Sequence, residues 1–452
     1  MSDPSHATCR VANSVAAPRT APRCRSVWRE NALLTLIVVH LAVRLAFLAI
    51  KPVPAVSVDV SAWYQVATEL RQGRNPYVTT EILVHPPFGL QVAWAVDRIA
   101  NLTGWQFPTA YFLFLVPFEL SLVVLCYVIL RDWQSPKAAK WIVLGGVTAQ
   151  PALLFQACQH GNIDLFVGLF CVLGCAGFMA FLRSNDRWQY ASACVWIGLG
   201  ILVKIVPVML APLAFTAWRR SWRLALGGGV LLCAPLVAGL LGLAATSPWF
   251  TLERIAQYRS YSGYFGISGL LQQWQLAVDC GIEAGLRKAF PILAIEAVLF
   301  ALWITWRQSN HAGGDHRWVY LLALSLILFV VTLGPGYAPQ YVYWWWPLLV
   351  IASTLFGRAF MIWSVLLWLV AAVTFTVEYG FFRSHGELFS WFSQPQIRPA
   401  PWVEQLESPW GQSWLRAPLF LIQAAVLATG VIVLIRASRT DALARNQQTK
   451  TA

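Results

Sequence analysis

At 452 residues, with 58% hydrophobic and only 12% charged positions, the chain cannot be a water-soluble globule, whose charged fraction runs about twice as high. A formal net charge of +13 would point to nucleic acid in a soluble protein. In a membrane chain the retention of Lys and Arg on the cytoplasmic side accounts for it, and nucleic acid is excluded as a partner. The nine Cys include no C-x-x-C pair and fall mostly inside apolar runs (Cys126, Cys171, Cys175, Cys194, Cys233), so neither a metal site nor a disulfide framework is implied. The 24 Trp exceed what apolar spans need, and headgroup belts account for most of them.

Residues 1–30 are rich in Ala, Pro, Ser and Arg and lack the apolar core of a signal peptide. They read as a disordered cytoplasmic tail before an uncleaved signal-anchor helix, with an organelle transit peptide as the alternative. The first span is predicted at 31–50. The segment 51–109 then places Asp59 just outside the membrane, followed by a short amphipathic helix at 61–72, a turn at Gly73 and Pro76, and an apolar stretch at 88–100 lying in the interface. Further spans are predicted at 110–130, 141–157, 163–182, 224–245, 290–306, 318–333, 343–356, 359–377 and 416–436, several of them shorter than the roughly 20 residues that cross a bilayer unaided. An apolar stretch over 188–218 is broken at Lys204 and Pro207. Too long for one helix and basic at both ends, it must go in and come back out. The reading is an all-α polytopic membrane protein with one catalytic domain, 31–436, no internal repeat, and a cytoplasmic tail at 437–452. Both termini are assigned to the cytoplasm, because the segments then sharing that side hold about 20 of the 33 Lys and Arg.

The outward segments hold the candidate chemistry. Asp59 is either the cap of a helix starting at Ser61 or a catalytic carboxylate beside the membrane. Lys204 lies well inside an apolar stretch; it either snorkels to the surface or meets an anion such as a phosphate where Pro207 interrupts the helix. His160 and Asn162 sit in a short turn, with Asn162 or Asp164 capping the span at 163, or else they contact phosphate or sugar hydroxyls. Tyr337, Gln340 and Tyr341 are either belt residues or the wall of a sugar site. Arg44 and Glu119 lie inside spans and pair with each other or with backbone.

Four segments occur in order over about 290 residues. Val58-Asp59 with Tyr64, Gly73-x-x-Pro76-Tyr77 and His85-Pro86-Pro87-Phe88 resembles the first outer loop of the GT-C superfamily of membrane glycosyltransferases. Within it the chain most resembles glycosyltransferase family 87, which includes polyprenol-phosphate-mannose-dependent mannosyltransferases. Gln159-His160-Gly161-Asn162-Ile163-Asp164-Leu165 is similar to that family's Gly-Gln-x-Asn-x-Leu turn, and Gly198-x-Gly200-x-x-x-Lys204-x-x-Pro207 to its Gly-x-x-x-Lys-x-x-Pro signature. Pro339-Gln340-Tyr341-Val342-Tyr343-Trp344-Trp345-Trp346-Pro347 resembles a late motif in which His-His commonly precedes Trp and Pro. The departures are Gln340 and Tyr341 where His is common, and His85 where Tyr is common.

The resemblance implies a GT-C-like bundle of about 10–12 transmembrane helices with an outer-loop amphipathic helix and one broken or re-entrant helix pair. It makes Asp59 the base and carries over Tyr64, Tyr77, His85, Gln159, Asn162, Tyr337, Gln340 and Tyr341 as substrate-binding candidates, with Lys204 and His160 on the donor phosphate. The expected reaction is inverting transfer of a hexose, mannose first, from a polyprenyl-phosphate donor to a lipid or glycan acceptor outside the cytoplasm, at the plasma membrane. Asp59 stands between two valines with no Asp-x-Asp partner, so no metal and no cofactor is expected. The rival class is a transporter or flippase of a lipid-linked or sugar substrate, which also uses broken helices with a buried Lys.

Overall fold

The computed structural model describes residues 31–50, 58–80, 83, 85–161, 163–242, 253, 266–273, 282–309, 316–334, 341–381, 405–406 and 408–451. The expected tail at 1–30 lies outside them, as do Asn162, Tyr337 and Gln340.

Among the described residues the protein is helical throughout, with no strand. It is an all-α polytopic membrane protein. Among the described residues six helices are long and apolar enough to cross a bilayer, and four shorter apolar helices of 10–17 residues accompany them. The chain opens with α1 (Asn31–Ile50), then the loop helices α2 (Val58–Arg71), α3 (Pro76–Thr79) and α4 (Phe88–Thr103), and the long α5 (Phe107–Arg131). The loop helix begins at Val58 rather than at 61, so Asp59 falls inside its first turn instead of capping a helix from Ser61.

The stretch predicted as one span over 141–157 is two pieces bent by 54°. α6 (Pro136–Val143) widens into a π turn at Leu144–Thr148; α7 (Pro151–Phe155) widens into another at Gln156–His160. Pro151, which has no N–H to donate, sits at the start of α7, and the Gln150 side chain caps it by accepting from the Ala152 N–H at 3.2 Å. Widened turns loosen backbone pairing, and two indoles reach the first one: Trp346 Nε1 donates to the Gly146 carbonyl at 2.6 Å and Trp368 Nε1 to Gly145 at 3.0 Å.

After α8 (Asp164–Ser184), α9 (Arg187–Val203) runs away from its Asp186 cap and stops at Lys204, whose backbone is extended. The chain resumes as a 3-10 helix over Val206–Ala217 with Pro207 near its start. That helix returns beside α9: the Tyr190 hydroxyl, near the start of α9, donates to the carbonyl of Ala214, near the end of the 3-10 helix, at 2.9 Å. The in-and-out path expected for 188–218 is therefore present. Gly200 makes room for it, since a Cβ there would lie 3.2 Å from Pro207, and Gly198 makes room for α10 (Trp222–Gly242), where a Cβ would press on Leu232 and Pro235.

The rest comprises α11 (Gly266–Gln273), α12 (Ile282–Gln308), α13 (Trp318–Leu333), α14 (Val342–Ser353), α15 (Gly357–Phe381) and α16 (Pro409–Thr451). The tail predicted from 437 continues the last helix as far as Thr451. Trp344, Trp345 and Trp346 are packed inside the bundle on α14, so these three indoles are core and not headgroup belt. α8 and α14 meet backbone to backbone, because a Cβ on Gly168 would fall on the Tyr343 carbonyl. Two buried charged side chains inside the helices find each other: Arg44 grips Glu119 with Nε–Oε2 at 2.9 Å and Nη2–Oε1 at 2.6 Å, and the Tyr343 hydroxyl donates to the same carboxylate at 3.0 Å. The pairing foreseen for Arg44 and Glu119 is realised, and Arg416 pairs with Glu378 in the C-terminal helices. A lone charge would be costly at this depth.

Candidate active site

At one end of the bundle four breaks in helical structure meet: the start of α2, the π turn ending at His160, the start of α8 and the break after α9. Gly161 closes the π turn with φ +65°, a left-handed conformation that favours glycine. A Cβ there would stand 2.7 Å from Val60 and 2.9 Å from Phe112. The absence of that carbon lets the turn close on α2, and His160 Nε2 lies 3.0 Å from Oδ2 of Asp59.

Both partners are partly exposed, at 27% of the Asp59 side chain and 20% of the His160 ring. Burial works to raise the Asp59 pKa, but the charge and hydrogen bond of His160, with further attraction from Lys204 and His85, hold the carboxyl below its ordinary value. For His160 burial opposes the cation, and Asp59 overcomes it, so the imidazole holds its proton above the usual histidine range. His85 is the opposite case: burial first, then Lys204, drives its pKa down to about 3, and it is a neutral imidazole at physiological pH.

The second half of the site is a buried ion pair. Lys204 Nζ lies 2.9 Å from Oδ1 and 3.1 Å from Oδ2 of Asp164, which stands in the first turn of α8. Trp344 Nε1 donates to Oδ1 at 2.6 Å. The ammonium also sits 4.7 Å from the Tyr341 ring centre and 5.4 Å from that of Trp344, two rings stacked on each other at 3.8 Å. Lys204 neither snorkels to the surface nor stands alone: in the resting protein its anion is the protein's own Asp164 carboxylate, not a phosphate.

The structure therefore gathers Asp59, His85, His160, Lys204 and Tyr341 into one region. Tyr77 is fully buried and its hydroxyl donates to the His85 carbonyl at 2.6 Å, which makes it a strut for the His85 loop. Tyr64 is 48% exposed, its ring lying against Phe107 at 5.2 Å. Gln159 lies in the π turn, with its side chain outside the described residues. Sequence reasoning gave Asp164 no role beyond helix capping and quoted Trp344 only as part of a motif, without foreseeing that the two meet. The missed signal was an Asp at the head of one apolar span with a Lys inside another, two charges that only each other's company makes affordable.

The sequence model of glycosyltransferase family 87 matches residues 84–334, more than half of the chain. The chain belongs to glycosyltransferase family 87. It is a membrane glycosyltransferase, and its reaction calls for a sugar donor and an acceptor. A comparison with the curated proteins finds no match. The stretch matched to family 87 takes in His85, His160, Asp164 and Lys204 and leaves out Asp59 and Tyr341. Among the described residues no group of three or more His, Cys, Asp or Glu is arranged to hold a metal ion.

Proposed function

We propose that this family 87 enzyme moves a hexose, mannose first, from a polyprenyl-phosphate sugar to an acceptor hydroxyl by a single inverting displacement, with Asp59 as the base. The observation that carries the reading is the Asp59–His160 pair, 3.0 Å across and part-exposed at the head of the loop helix. A carboxylate that stays ionised at neutral pH and is partly exposed is poised to take a proton from an attacking hydroxyl. The imidazole beside it, whose hold on its proton Asp59 strengthens, contributes positive charge when protonated, where a phosphate leaving group would accumulate negative charge.

Lys204 supplies the second positive charge. Its ammonium has three donor positions, and Asp164 with the two rings fixes it beside the carboxylate–imidazole pair. In this proposal donor phosphate enters the coordination of Lys204 alongside Asp164. Acceleration then comes from the base, from holding donor and acceptor in line, and from stabilising the departing phosphate. Neither a metal nor another cofactor takes part in it.

The opposite end of the bundle carries the basic residues: Arg220 donates to Asn185 Oδ1 at 2.6 Å, Arg183 lies 3.8 Å from Asp132, and Arg219 stacks over Trp306. The positive-inside rule puts that end in the cytoplasm, so in this reading the site opens outward from the plasma membrane onto a lipid or glycan acceptor. The test is transfer by membranes containing the protein, given labelled polyprenyl-phosphate mannose, arabinose and glucose in turn. Label entering a glycan or lipid from mannose supports the reading, and label from another donor alone replaces the hexose. No transfer from any lipid-linked donor, with transfer from a nucleotide sugar, overturns the donor class.

A further inference from the structure

The site holds one polar group that the mechanism above leaves idle. Tyr111, in the second turn of α5, is fully buried, and its hydroxyl has no hydrogen-bond partner. It lies within electrostatic reach of both Asp59 and Asp164. Its ring is fixed between Phe107 at 5.9 Å and Phe112 at 6.3 Å, and Phe112 in turn abuts Gly161 beneath His160. A buried hydroxyl without a partner is unfavourable, and folded proteins rarely keep one. Two carboxylates, the best acceptors available, influence it electrostatically and neither accepts from it; Asp59 is engaged by His160 and Asp164 by Lys204 and Trp344.

We infer that the Tyr111 hydroxyl is a substrate-binding donor, held open for a sugar oxygen that enters between Asp59 and Asp164. A sugar hydroxyl is matched to such a gap, because it accepts from the phenol while donating its own proton to a carboxylate. The oxygen belongs either to the transferred sugar or to the acceptor, and the inference rests on the transferase reading given above.

The test is Tyr111→Phe in the purified full-length protein, with the lipid-linked donor that wild-type turns over. Because the hydroxyl has no partner in the resting protein, its removal leaves the melting temperature unchanged or slightly higher. Loss of one hydrogen bond to substrate lowers kcat/KM by about 10-fold. A rise in KM confined to the donor assigns the oxygen to the transferred sugar, and one confined to the acceptor assigns it there. The donor's own stabilisation of the protein against heat gives a second readout and shrinks in the variant if the donor sugar is bound. Kinetic constants within twofold of wild type overturn the inference, as does a variant that loses activity together with several degrees of melting temperature or fails to fold. Asp59→Asn run in parallel separates the two failures. If it too retains activity, the transferase reading of this site is at fault; if it alone is dead, only the Tyr111 assignment falls.

Discussion

Asp59 and His160 touch across 3.0 Å because Gly161, one residue further on, has no side chain to keep their two elements apart. The carboxylate and the imidazole come from different parts of the chain, and the missing Cβ at Gly161 leaves room for Val60 and Phe112 to pack against the turn.

Asp59→Asn should remove sugar transfer while leaving the protein folded, since the amide keeps the shape and cannot accept the proton. A general base is worth about 10²–10⁴ in rate. Turnover measured in detergent above about a tenth of wild type would return Asp59 to a structural role.

The pH profile should move when His160 is replaced. With a lowered pKa, Asp59 stays ionised as pH falls into the ordinary carboxylate range. Its contribution to stability is present above the unfolded value of about 3.9 and is lost only as pH drops through the lower folded value. His160 has the opposite sign: its contribution is complete below about 6.5 and disappears as pH rises through the raised folded value. His160→Gln removes the attraction that lowers Asp59, so the acid limb of kcat/KM should shift to higher pH. An unmoved acid limb would uncouple the two groups.

Lys204→Gln should lose activity and also stability, because it strands the Asp164 carboxylate in a buried position. Breaking a buried pair from one side costs roughly 3–5 kcal/mol. Adding Asp164→Asn should recover most of the melting temperature and none of the turnover. If the double variant regains activity as well, the pair is purely structural.

Gly161→Ala should be worse than Gly73→Ala. Both positions have positive φ near 70°, but a Cβ at Gly73 meets nothing within 4 Å, whereas at Gly161 it meets Val60 and Phe112. Each variant bears the left-handed backbone penalty of about 1 kcal/mol, and Gly161→Ala adds overpacking of about 1–3 kcal/mol. Thermal denaturation and turnover of the two variants check this, with Gly73→Ala expected to keep its activity.

Sidedness can be read by cysteine labelling in intact cells. Single cysteines replacing Arg74 and Arg220 should react from opposite sides, Arg74 from outside. Reaction from the same side would invert the proposed path of 188–218.

The helical course was legible wherever apolar runs end in charged or turn-forming residues, as at Arg131, Arg183 and Asp186. The bend after Ala149 was not, because a π turn leaves no hydrophobic period of its own; only Pro151 hinted at it. Asp59, His160 and Lys204 stood out as polar groups in a lipid-like chain. Their grouping did not, since it depends on tertiary contacts between residues far apart in sequence. Asp164 was the clearest loss: a local capping rule explained it well enough to hide a partner on another helix.

The matched charges also bear on how the chain is made. Glu119 follows Arg44 by 75 residues, Lys204 follows Asp164 by 40 and Arg416 follows Glu378 by 38. A nascent helix carrying the first member of each pair emerges from the ribosome before its counter-ion does. The membrane insertion machinery must therefore shelter α1, α8 and α15 until a later segment is synthesised, and a chain cut between Asp164 and Lys204 should be a substrate for membrane quality control rather than a stable fragment.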